Sequence, residues 1–424
     1  MKSDKKTGLS INEGGQLYTV GLLVVYFLQL LIFFAVPKGI IGVADFPLSS
    51  WLVLFLNQTA FIACVFFIMR VKNVAFLKTV RVAKPLNWKQ ILLIIPLAVF
   101  SIAAFLPLAQ GFVKFVSLLG YNYSNSFPNA EYFPLFLLIV FMLGVLPAMG
   151  EEMFIRGAVM SGLKQRSYVF AVLCSALLFS LMHGNALQTV HQFALGIVLA
   201  LICIMSGSYW ASVLLHFLNN LISLVVTVYI PQLNGLDLGG PYNFLLGVAS
   251  FAVGTAALIF LLILFYKASG GKPIRLRHAA TAEENISAAT ADTANTECAD
   301  GAKKIADATN DFFAVDVASS LTAHTSAKKD TAATTTAQKS AVAKGTDVTD
   351  GTKTDTDTNE ESVIGLKIRL KASFKKINTA LAQMDGNPPE KANTGASVPA
   401  SLILGFMVAG LLWLVNFISG FFLK

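Results

Sequence analysis

Nine apolar stretches, each close to the length of a bilayer-crossing helix, run along this 424-residue chain. They lie near 16–36, 50–70, 90–110, 133–155, 168–186, 188–206, 209–230, 243–266 and 399–423. A spanning helix needs about 20 mostly apolar residues. The composition agrees: 55% of residues are hydrophobic, 13% are charged, and the mean hydropathy is +0.65. Soluble chains carry about 25% charged residues. The expectation is an all-α, polytopic membrane helical bundle: about eight core transmembrane helices, then a C-terminal hydrophobic helix after a disordered linker. The first stretch has a basic lead (Lys2, Lys5, Lys6), but it is too long for a signal-peptide core, and no small-x-small cleavage site follows. It reads as an uncleaved anchor.

Three regions follow. Residues 1–267 form the membrane core, 268–397 a polar low-complexity linker, and 398–424 the last span. The linker holds 16 basic and 17 acidic residues, which leaves 16 of 32 basic and 7 of 24 acidic residues to the rest. With the N-terminus in the cytoplasm, twelve core lysines and arginines fall inside and two, Lys38 and Lys114, outside. That bias predicts a plasma membrane protein, bacterial in type, with N-terminus and linker cytoplasmic. The basic excess therefore calls for no nucleic-acid partner. The linker is rich in Thr, Ala, Asp and Lys and poor in apolar side chains, which predicts disorder. Within it, Val363, Leu366, Leu370, Phe374, Ile377 and Leu381 recur at helical spacing among Lys and Arg. An amphipathic helix near 361–384 follows, lying on the membrane surface or docked on a partner or on the core itself. Of four cysteines, three sit in apolar segments with no CxxC pair, so a disulfide framework or cysteine-held zinc is not expected.

The stretch "LPAMGEEMFIRGAVM", residues 146–160, places Glu151, Glu152 and Arg156 inside a greasy run. An ionised side chain at mid-membrane costs about 2.5–3.5 kcal/mol on insertion scales and is by default a functional candidate. Arg156 stands four residues from Glu152, a spacing that permits ion pairing on one helix face. "FSLMH" ends in His183, and "HFLNN" places His216 and Asn220 on one face of another span. A helical hairpin turning near 165–167 puts Glu151 and His183 at similar depth, roughly 20–25 Å from the turn. His216 and Asn220 lie roughly 10–17 Å from theirs, several ångströms short. His191 reads as a polar residue at an outer helix end, and Asn185 as an adjunct of the polar cluster.

A carboxylate beside an imidazole can hold and deprotonate water, and preorganised N–H donors stabilise an oxyanion. Those parts fit amide hydrolysis. No serine or cysteine is evidently paired with these histidines, which weighs against a covalent nucleophile. Zinc is the competing reading, with Glu151, His183 and His216 as its ligands; no cofactor is favoured.

"EEMFIR", "FSLMH" and "HFLNN", in that order, match EExxxR, FxxxH and HxxxN. Across residues 130–230 the chain resembles the CPBP intramembrane proteases, which include CAAX prenyl proteases and bacteriocin-processing or self-immunity proteins. The resemblance implies an intramembrane endopeptidase acting on peptide or membrane-protein substrates in the lipid bilayer. It implies Glu151 as water-activating base with His183 its partner, His216 and Asn220 as oxyanion hole, and Glu152 with Arg156 in support. A non-catalytic immunity or scaffold protein of the same fold and a proton-coupled transporter are the alternatives. The linker and last span fall outside the resemblance.

Overall fold

A computed structural model of the chain describes residues 5–37, 39–121, 128, 130, 132–230, 240–271, 371–385 and 397–422. Its contacts divide the chain into two units, Met1–Pro273 with Ala372–Lys424, and Ile274–Lys371. The second unit lies outside the described residues except for Lys371, and with it residues 272–370 of the polar linker, including the first ten residues of the expected amphipathic helix.

The first unit is a polytopic helical bundle of an integral membrane protein. Its elements are α1 (Ile11–Ala35), α2 (Leu48–Val71), α3 (Phe76–Val80), α4 (Trp88–Leu118), α5 (Phe133–Leu163), α6 (Tyr168–Met182), α7 (Thr189–Ser206), α8 (Tyr209–Tyr229), α9 (Gly240–Ala268), α10 (371–384) and α11 (Ala400–Phe422). Eight of the described helices are long and apolar enough to cross a membrane, and α6 is a shorter apolar helix. Polar caps mark where the greasy segments begin. Ser10 and Glu13 close a capping box on α1, and Asn87 and Gln90 close one on α4. Each satisfies backbone N–H groups that a helix start leaves without partners.

The fourth apolar stretch is longer than expected. It continues past 155 to Leu163, and every residue from Gly150 to Lys164 is buried. A helix apolar on all sides is a buried strut. Two π-helical stretches, Phe141–Val145 and Met153–Val159, flank the α-helical segment Leu146–Glu152 that carries the paired acids. Such insertions re-aim side chains within a helix and recur at functional sites. Around the strut, Phe154 stacks on Phe61 of α2 at 4.5 Å and on Tyr18 of α1 at 6.0 Å.

The fifth stretch is shorter than expected. It stops at Met182 rather than 186, with His183 at the C-cap. Gly184 turns the chain at φ +60°, Asn185 Oδ1 accepts the Leu187 N–H, and the 3-10 turn Ala186–Gln188 leads into α7. Fifteen residues rise about 22 Å, short of the ~30 Å apolar thickness of a bilayer. The α6–α7 hairpin therefore turns back within the bundle, with His183 at its tip. Helix α10 packs Leu381 into the main apolar core, while Phe374 and Ile377 remain exposed.

Candidate active site

Each acid of α5 meets its own histidine. His183 Nε2 lies 3.6 Å from Glu151 Oε2, and His216 Nδ1 lies 3.0 Å from Glu152 Oε1. His216 thus meets the next acid along α5 rather than Glu151.

The second pair is fully enclosed. Arg156 Nη1 donates to Glu152 Oε1 at 2.8 Å, and Nη2 donates to the Gly196 carbonyl of α7 at 3.2 Å. The guanidinium also lies over the Phe179 ring, 4.2 Å from its centroid. Phe179 touches both imidazoles edge-on, at 4.9 Å from His183 and 5.6 Å from His216. One aromatic side chain of α6 thus separates and spaces the two acid–imidazole pairs. The charges at 151–156 are not a solvated loop end. They are buried within the helical bundle, where opposite charges and hydrogen bonds must compensate one another.

The first pair has an open valence. Glu151 Oε1 accepts from Gln58 Nε2 of α2 at 2.9 Å. Glu151 Oε2 is buried with no hydrogen-bond partner in the protein, facing His183 at 3.6 Å. His183 Nδ1 lies 2.7 Å from the Phe179 carbonyl, which has lone pairs alone, so Nδ1 carries the proton. In neutral His183, Nε2 is then an acceptor, and two acceptors face each other across Glu151 and His183. Only a donor between them, or a proton on the imidazole, makes that arrangement favourable.

Close backbone approach places Gln58. A Cβ on Gly150 would sit 2.6 Å from Gln58 Oε1 and 3.2 Å from the Gln58 carbonyl. Glycine lets α2 come near enough for the amide to reach the next residue. Tyr209 Oη–H of α8 donates to the Met149 carbonyl at 2.7 Å and pins the same turn.

The remaining candidates divide. Asn220 is turned to α5, where its amide donates to the Leu143 carbonyl at 3.2 Å in the first π-helical stretch. Asn219, passed over in the sequence, is the more buried: it bonds Ser101 of α4 at 3.3 Å and lies 3.5 Å from His191 Nε2. His191 stands in the first turn of α7, half-buried and edge-on to Phe105. Asn185 is a turn residue. Gln58 and Asn219 join the candidates from the structure, and Phe179, known from the sequence as the first residue of FxxxH, gains a role as spacer. Gln58 did carry a signal, as a polar side chain in the apolar stretch "WLVLFLNQTAFIACVFF".

His216 is committed to Glu152, and among the described residues no three His, Cys, Asp or Glu side chains stand close enough to hold a metal ion. An apolar cavity of about 360 Å³ opens between α4, α5 and α8, lined by Ala148, Met149, Trp210, Leu214 and Phe217 among others.

Residues 133–222 match the family model of the type II CAAX prenyl endopeptidase Rce1-like proteins. No curated protein and no solved structure matches the chain significantly. The match spans α5 to α8, the helices that carry both acid–imidazole pairs. Over that segment, about a fifth of the chain, the protein is similar to the CAAX-type membrane proteases, in support of the resemblance carried by its motifs.

Proposed function

We propose that the protein is an intramembrane endopeptidase that hydrolyses peptide bonds of membrane-associated substrates with a glutamate-activated water. The observation that carries this reading is the facing of Glu151 Oε2, buried and without a hydrogen-bond partner, and the half-buried His183 Nε2 at 3.6 Å. A water donating one hydrogen to each is held with its lone pairs outward, toward a bound amide carbonyl. Glu151 takes its proton as the oxygen attacks. Gln58 holds the other carboxylate oxygen and so fixes the direction of the base.

The second pair supports the oxyanion. With Nδ1–H bonded to Glu152, His216 offers an Nε2–H donor only as the imidazolium. Glu152 is the counter-charge for that form. Asn220, on the same face of α8, gives one amide hydrogen to the Leu143 carbonyl, and its second is the other donor of the pair. One such donor contributes roughly 3–4 kcal/mol of transition-state stabilisation.

The apolar cavity beside Met149 receives the hydrophobic part of the substrate. A lipid-modified C-terminal peptide of CAAX type satisfies both the cavity and the family. The reading is tested in proteoliposomes with an internally quenched peptide bearing a farnesylated CAAX end. Glu151→Gln is expected to abolish turnover, a loss of about 10²–10⁴ for a general base, and chelators to leave it intact. Turnover undiminished in Glu151→Gln would reject the assignment.

A further inference from the structure

Helix α6 carries His183 at its C-terminal tip, and the distal segment of the chain holds α6 at both ends. At the N-terminal end, Asn378 Oδ1 of α10 accepts from the Tyr168 N–H at 2.6 Å and from the Ser167 hydroxyl at 3.0 Å. It thereby supplies a cap from outside to a helix start that Ser167 already caps from within. Seven residues on, the Asp385 carboxylate is buried against three donors of the core. Lys164 Nζ and Tyr168 Oη–H each donate to it at 2.8 Å, and Arg81 pairs with it. Arg81 and Lys164 are both buried. Burial and the neighbouring Arg81 push the Lys164 ammonium down to about 8. Two like charges in so dry a place call for an anion, and the chain delivers one from 221 residues away.

At the other end, α11 lies against the turn that follows His183. Trp413 Nε1–H donates to Thr189 Oγ1 at 2.7 Å. A Cβ on Gly184 would stand 2.9 Å from both Asn416 Nδ2 and Tyr26 Oη. Helix α11 is not a loose anchor here. Ser401 bonds Asn12 at 2.7 Å, Thr19 donates to the Ser401 carbonyl at 3.1 Å, and the Leu402 backbone sits directly on Gly15. From Ser401 to Asn416 the helix rises about 22 Å, the length of α6.

We propose that the docked C-terminal segment, α10 with Asp385 and α11, is a positioning element of the hydrolytic site. It splints α6 from Tyr168 to Gly184 and so sets where His183 stands relative to Glu151. The claim rests on the reading of those two residues as the water-activating pair. Asn378, Asp385 and Trp413 act through α6 and touch no reacting atom. They lie outside the 133–222 segment that carries the family match.

The test uses the full-length chain in proteoliposomes with the farnesylated quenched peptide, and measures kcat, KM and melting midpoint together. Asn378→Ala and Trp413→Phe are expected to lower kcat roughly 10- to 100-fold, the order that a displacement of about 1 Å produces, with KM and the midpoint held. Asn378→Asp keeps the accepting oxygen and is expected to recover most of the rate. Asp385→Asn strips the counter-charge and lowers the midpoint as well. Wild-type kcat in both Asn378→Ala and Trp413→Phe, with Glu151→Gln dead, overturns the positioning claim alone. So does a loss that tracks the midpoint and is not recovered by Asn378→Asp. Turnover that survives Glu151→Gln overturns the hydrolytic reading and the positioning claim with it.

Discussion

Glu151 and Glu152 are adjacent in the chain, yet His183 meets the first and His216 the second. Each acid keeps one buried oxygen without a hydrogen-bond partner, but only Glu152 is tied to a cation, its Oε1 holding both Arg156 and His216. Neighbours on one helix thus face different work, and substituting them separates catalysis from stability.

Glu151→Gln keeps a hydrogen-bonding amide beside Gln58 and leaves the folded protein intact while turnover disappears. Glu152→Gln removes the counter-charge of a fully buried guanidinium. Breaking a buried pair on one side costs about 3–5 kcal/mol. Thermal melting in detergent is expected to show a large drop for Glu152→Gln and little change for Glu151→Gln. Equal midpoints for the two variants would contradict the division of roles.

Arg156→Lys preserves charge but not geometry. A lysine cannot hold Glu152, donate to the Gly196 carbonyl and lie flat on Phe179 at once. We expect a loss of about 2 kcal/mol in stability and a lower kcat, since Phe179 spaces both imidazoles. A lysine variant with the wild-type melting midpoint and rate would show that charge alone suffices.

Gln58→Met retains the volume of the side chain and deletes the amide donor to Glu151. A hydrogen bond to a charged group contributes about 1.5–3 kcal/mol, so kcat is expected to fall at least about tenfold. KM should hold, because Gln58 faces the carboxylate and not the apolar cavity. A rise in KM at constant kcat would place Gln58 in substrate binding instead.

Gly196 of α7 lies against the backbone of α6 at Ala176. A Cβ there would lie 2.9 Å from the Ala176 Cα and 3.3 Å from its carbonyl, both backbone atoms that cannot step aside. Gly196→Val is expected to cost about 3 kcal/mol, the upper end for overpacking, and to disturb the Arg156 contact with the Gly196 carbonyl. Gly111 of α4 has open space around it, and Gly111→Ala is expected to be neutral or stabilising by up to about 1 kcal/mol. Melting midpoints of the two variants decide it.

The sequence alone determined the class of fold and the chemistry on offer. Spans of apolar residues, caps such as Ser10 and Asn87, and the motifs around Glu151, His183 and His216 are local patterns, set by side chains within a turn or two of one another. The partners were decided by tertiary structure. Whether His216 faces Glu151 or Glu152 depends on helix rotation and crossing, which the π-helical stretches and the contact at Gly150 set. Gln58 reaches Glu151 across 93 residues, and Asp385 reaches Lys164 across 221. Helical periodicity carries no record of such distances. It says which side of a helix is apolar, whereas packing at van der Waals contact chooses the side chain that stands opposite.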